Sequence, residues 1–313
     1  MPPHSTENHV ARAFRTQVGL VEEVQESDPT CWAKMADGLR EGARPDFILW
    51  TRTNWGRDDQ VEQMKFLLAA QRANVPVVGY HLDIWWGLQR QYEVYREPFF
   101  TVDLLVTADG GHDDLWASNG VNHVWFPPAV SAPEAVTGFP LDHYRSRLAF
   151  VGSHDGHYHQ EHQHRHELIG WLRTNFRNDC RFFPEPGQPA VRGLDLQDLY
   201  ASVDVVIGDS CFAGTGLANY WSDRIPETLG RGGFLLHPEV PGLEGHFTNA
   251  VHLATWEAGD WDRLGSLIEA SLASPEARRV IRGEGRAHVL ANHTYEIRMQ
   301  QLMDLLVERG MIR

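Results

Sequence analysis

Short apolar runs alternate along the chain with longer stretches of helical spacing, and the alternation starts over once. In the first half, the runs at 45–50, 75–80, 102–107 and 121–126 are rich in β-branched and aromatic residues, and turn-forming residues or a proline mark their ends. They read as buried strands. Residues 19–24 read as one more strand, and 7–15, 31–41 and 58–73 carry the spacing of helices. From residue 148 the pattern repeats, predicting strands at 148–151, 180–183, 190–193, 203–207, 233–236 and 251–253, with helices at 161–175, 196–202 and 226–231. The tail is helical over 261–273, 275–291 and 294–307.

Buried strands separated by helices argue for parallel sheets covered on both faces. The expected fold class is therefore α/β: two Rossmann-like, doubly wound lobes with a cleft between them, closed by C-terminal helices. Residues 129–146, rich in Pro, Ala and Gly and without a period, read as the linker region. The predicted domains are 1–133, a linker at 134–146, a second lobe at 147–292 and a closing segment at 293–313. The first lobe opens on a helix, so its first strand is either absent or upstream of Met1. In open α/β sheets ligands sit beyond the carboxyl ends of the strands. That rule puts His81 and Asp83, after the 75–80 run, and Asp109 with His112, after the 102–107 run, on the working edge, the latter two as candidate acceptor contacts with a helix cap as the alternative for Asp109.

Charge narrows the picture. The chain has 313 residues and a net charge of −14, and 12 Lys/Arg against 20 Asp/Glu in residues 1–146 leave neither half basic. Neither is a nucleic-acid module by bulk electrostatics. The only lysines are Lys34 and Lys65, so an anion held by the second half must use Arg, backbone amides or a helix start. Three scattered cysteines, Cys31, Cys180 and Cys211, form no disulfide framework and suit a reducing compartment. No apolar run reaches the length of about 18 residues that a membrane helix needs, and residues 1–7 do not read as a secretory signal. The expected location is cytoplasmic.

The most informative segment is 222–236. Ser222 and Asp223 stand at a predicted helix start, followed by Arg224, Glu227, a Gly230-Arg231-Gly232-Gly233 turn and a strand. Amide dipoles and a forked Arg224 suit phosphate oxygens, and Glu227 suits the vicinal hydroxyls of a ribose. This Ser-x-Arg-x-x-Glu segment resembles glycosyltransferases of the GT-B fold, in particular the CgeB-like and family-4-like group. The resemblance continues in order through 75–81, ending at His81, then 102–109, 148–153, 198–205 and a closing His293-Thr294-Tyr295-x-x-Arg298, and covers nearly all of the chain.

The resemblance implies a donor site of Gly152, Ser153, Arg165, Arg192, Gly193, Leu194, Asn219, Ser222, Arg224 and Glu227. In it Arg224 and Ser222 hold a diphosphate, Arg192-Gly193-Leu194 edge the base, and Asn219 stands where family-4 enzymes often carry an acid. His81 contacts the transferred sugar, Asp83 is a candidate base, and the closing helix packs back on the first lobe. The implied activity is transfer of a sugar from a nucleoside-diphosphate sugar, UDP-linked by preference, with no cofactor beyond that co-substrate. Relatives of the CgeB type occur in spore formers and phages, which leaves a protein, a glycan or a modified DNA base open as acceptor, and the host cytoplasm as location if phage-encoded. Two other readings stay open: a non-catalytic nucleotide-sugar-binding protein, and a nucleotide-sugar epimerase.

Two clusters remain. Six of the 17 histidines fall between His154 and His166, read as a solvated loop with phosphate contacts rather than a metal site. Adjacent Trp85 and Trp86 cannot easily bury in one direction, so one is expected to stack on an acceptor ring.

Overall fold

The computed structural model describes residues 4–52, 59–154 and 163–313. It divides into two units, Met1–Pro127 with Arg298–Arg313, and Pro128–Ile297. Each has its own parallel sheet.

In the first unit, β1 (Ile48–Trp50), β2 (Val77–His81), β3 (Leu104–Thr107) and β4 (His123–Trp125) lie side by side in chain order. All neighbours are parallel, with His81 opposite Thr107 and Thr107 opposite Trp125 at the carboxyl edge. The helices α1 (Thr6–Arg15), α2 (Cys31–Glu41), α3 (Gln60–Ala73) and α4 (Asp113–Ser118) accompany it. α2 ends where Gly42 turns left-handed at φ +113°, and Ser5 caps α1 by accepting from Asn8 N–H. One face of the sheet is sealed by an aromatic core that includes Trp32, Trp50, Phe66, Phe99, Phe100 and Trp116.

The second unit holds β5 (Ser146–Val151), β6 (Cys180–Phe183), β7 (Val203–Ile207), β8 (Leu235–Pro238) and β9 (Ala254–Trp256) in the order β6-β5-β7-β8-β9. Strand order reverses at β5, so the chain leaves β5 toward β6 and returns on the other side to β7. Such a reversal opens a crevice between the carboxyl ends of the two central strands. Here those ends are Val151-Gly152 and Ile207-Gly208-Asp209. Helices α5 (Gln163–Asn175), α6 (Gly193–Ser202), α7 (Arg224–Gly230), α8 (Trp261–Ala273) and α9 (Pro275–Asn292) follow, and α10 (Tyr295–Glu308) carries the chain into the segment grouped with the first unit.

The structure departs from the sequence expectations in several places. Residues 19–24 form no strand: Leu20 is 89% exposed, and without a ladder partner a β-rich run stays irregular. Residues 190–193 form none either, because Arg192 is the extended residue before α6 and Gly193 opens that helix at φ +59°. The last strand begins at Ala254 rather than Val251: Ala254 and Trp256 are the buried pair, while Val251 stays exposed. The proposed linker residues pack within the second unit, where Glu134 binds Arg231 and Phe139 N–H donates to Asp198. The closing segment joins the first unit from Arg298, whose Nε donates to Pro127 O.

Candidate functional site

The reversal point of the second sheet collects charge. Asp209 follows β7 by two residues and is fully buried. Its Oδ1 accepts from His164 Nδ1 at 2.9 Å and its Oδ2 from Arg165 Nε at 2.7 Å. Both donors stand in the first turn of α5. Burial alone would raise the Asp209 pKa, but the bonds and charges of His164 and Arg165 win and hold it well below the usual carboxylate range.

Arg224 opens α7 and reaches to β5. Its Nε donates to Val151 O at 2.5 Å, and its guanidinium lies over the Phe150 ring at 5.4 Å. Gly152 permits this approach, since a Cβ there would overlap Arg224 Nη2. Arg224 Nη1 is buried and makes no hydrogen bond, and nor does the Ser222 hydroxyl. Burial pushes the Arg224 pKa down, with Arg165 adding repulsion. Arg165 thus holds the Asp209 carboxylate directly, while Arg224 feels it only through space and keeps a buried donor unfilled.

His237, on β8, is the third strand-end group. Its Nδ1–H donates to Pro238 O at 2.7 Å, which leaves the lone pair on a buried, unpartnered Nε2. Burial lowers its pKa from 6.5 to about 4, so the ring is neutral at pH 7. The unfolded chain binds this proton first. Stability should therefore fall as pH drops below 6.5, by about 1.4 kcal/mol per pH unit for this group, until the folded ring protonates near 4. Urea titrations between pH 7 and pH 5 should show the loss, and His237→Gln should lessen the slope by this one group's share; an equal slope in the variant would reject His237 as a source.

The other expected donor residues are nearby in sequence but differ in state. Glu227 is half-buried, and its Oε2 accepts from Arg231 Nη1 at 2.6 Å. Arg231 Nη2 in turn donates to Glu134 at 3.1 Å, so one buried Arg joins two carboxylates. Asn219 sits left-handed at φ +58° with its Oδ1 against Gly242, and is engaged in shaping that loop. Arg192 and Leu194 are exposed at the start of α6, while Gly193 is buried. Ser153 is exposed after β5. α7 spans seven residues, and its N-cap Asp223 makes no side-chain cap bond, so the expected Ser/Asp capping is not realised. Of the histidine cluster, His154 bonds Pro184 O, while His157, His159 and His162 lie outside the described residues.

In the first unit, His81 ends β2 with Nε2 3.9 Å from Asp83 Oδ2, and burial lowers its pKa against the pull of Asp83. Asp83 pairs with Arg90 at 2.7 Å, which outweighs its burial and leaves its pKa below the ordinary value. A carboxylate held this way is a weak base. Asp109 is fully buried and accepts from the backbone N–H groups of Trp85 and Trp86 and from His112 Nδ1 at 2.9 Å. Its carboxylate therefore supports the 81–86 turn. Both tryptophans are buried, correcting the expectation that one ring stays free to stack: Trp85 packs on Phe100 and Arg90, Trp86 on Trp116. The turn that Asp109 pins lets adjacent side chains bury in different directions.

The sequence reasoning missed Asp209 and His237. Both occupy strand-end positions, and the rule applied to His81 and Asp109 would have found them.

The family model described as "Glycosyl transferase-like" matches residues 141–304, more than half of the chain. The chain belongs to this glycosyl transferase-like family. No curated protein sequence matches it. Among solved structures, it is similar to Anabaena HepE in complex with UDP and glucose, at TM-score 0.58 and 12% identity over 91% of this chain and 84% of that one. It is also similar to the sucrose-phosphate synthase of Thermosynechococcus elongatus, at TM-score 0.56 and 13% identity over 94% and 82%. A glycosyltransferase from Rickettsia africae ESF-5 gives TM-score 0.55 and 10% identity over 92% and 84%. The fold of this glycosyltransferase is GT-B. Among the described residues, no helix is long and apolar enough to cross a membrane.

Proposed function

We propose that this glycosyltransferase uses a nucleoside-diphosphate sugar, UDP-linked by preference, and that the second unit holds the donor at the strand-order reversal. One observation carries the reading: Arg224 Nη1 is buried without a partner, and Arg165, which holds the buried Asp209 carboxylate, repels it. Two neighbouring guanidinium groups with an unfilled buried donor suit an anion, and a diphosphate supplies it. The HepE structures, one of them with UDP-glucose, support the choice of nucleotide.

In this reading Ser222 and Arg224 hold the diphosphate, with Gly152 and Ser153 bordering it. Arg192 and Leu194 edge the base, and Glu227 turns toward the ribose. His81 serves the transferred sugar or the acceptor hydroxyl, which is a group of a protein, a glycan or a modified DNA base. The 222–227 segment supports placement in the CgeB-like group.

Transfer is tested by release of UDP from a panel of UDP-sugars. Slow release to water and faster release with an accepted hydroxyl compound are expected. Tight UDP-sugar binding with no release under any acceptor would favour a binding protein, and conversion of the sugar to its epimer would favour an epimerase.

A further inference from the structure

His164 belongs to the charged cluster and has no part in the site just proposed. Its side chain is 9% exposed, and its ring stacks on Trp261 of α8 with 5.6 Å between centroids. Nδ1–H is committed to Asp209, while Nε2 is buried and makes no hydrogen bond. The ring is thus fixed by a carboxylate on one nitrogen and by an indole on its face, and the other nitrogen is left without a partner. A buried carboxylate bonded to one ring nitrogen is how proteins set the orientation of an imidazole and choose which nitrogen faces a ligand.

The surroundings of that nitrogen are charged. The charged and titratable groups of the cluster are Asp209 beyond β7, Arg165 beside His164 on α5, Arg224 on α7 and His237 on β8. His154, at the end of β5, is bonded to Pro184 O, and Asp260, at the start of α8, accepts from Arg263 N–H. A bound diphosphate would offer an oxygen to Nε2–H.

We propose that Asp209 is a positioning residue of the donor site, holding His164 so that its Nε2 binds the donor diphosphate as an imidazolium. The inference rests on the donor reading above. It adds that donor binding takes a proton from solvent onto His164, with Nδ1–H kept on Asp209 throughout.

The test is calorimetry of the full chain with UDP-glucose, whose diphosphate does not titrate near neutrality, in buffers of different ionisation enthalpy at pH 7.5. The wild type should take up a fraction of a proton. His164→Gln should bind about tenfold more weakly, the loss of one charge-assisted bond, and take up none. Asp209→Asn, which keeps the shape but not the charge, should also lose the uptake; circular dichroism reports whether it folds, and if it does not, His164→Gln decides alone. Wild-type binding with no buffer dependence, or uptake that persists in His164→Gln, overturns the inference while leaving the donor reading intact. Wild type that binds no nucleotide sugar overturns both.

Discussion

Arg224→Ala should weaken binding of UDP-glucose about a hundredfold, roughly 2.7 kcal/mol, in a direct titration. The guanidinium is the group whose buried Nη1 has no partner, so a ligand oxygen there gains a charge-assisted bond that water does not already satisfy. The same substitution should not lower the melting temperature of the empty protein appreciably. It removes one bond to Val151 O, but also one of two repelling buried cations. Gly152→Ala should copy the binding defect from the other side of the contact, because its methyl takes the space of Arg224 Nη2. A variant pair that binds UDP-glucose like the wild type would remove the reversal point of the second sheet as the donor site.

Arg231→Met should act the opposite way, on stability first. Arg231 is 1% exposed and bridges Glu227 and Glu134, which are 4 and 97 residues distant in sequence from it. Methionine keeps much of the volume but removes the guanidinium that both carboxylates bind. Removing one partner of a buried ionic group costs about 3–5 kcal/mol, which denaturant unfolding would read directly. Donor affinity should fall as well, since Glu227 loses the bond that sets its rotamer. A variant as stable as the wild type would show that water or rearrangement compensates the pair, and that Arg231 does not brace the candidate ribose ligand.

Much of the fold was legible because buried strands and amphipathic helices leave periodic marks. Helix α2 falls on the expected residues, and β7 does too. The misplaced elements share a cause. Residues 19–24 and 190–193 have strand-like composition, yet a strand exists only where another strand supplies the ladder. The site was legible in part. Arg224 stands out in sequence because it begins a helix ahead of a glycine-rich turn. Asp209 lies in an unremarked Gly-Asp-Ser triplet, and its partners His164 and Arg165 are 45 and 44 residues away. No local pattern links residues so distant.

The sequence by itself determined an α/β chain with two repeats of the strand–helix alternation, a family, and the candidate phosphate arginine. Those follow from local spacing and from the order of short motifs. Only the tertiary structure decided the order β6-β5-β7-β8-β9, and with it the place where the second sheet opens a crevice. It alone decided that Trp85 and Trp86 are core, that Asp109 pins their turn, and that Asp209 gathers a histidine and an arginine. The reason is physical: a side chain's burial and charge state depend on neighbours that the chain brings together only by folding, and the residue type alone carries neither.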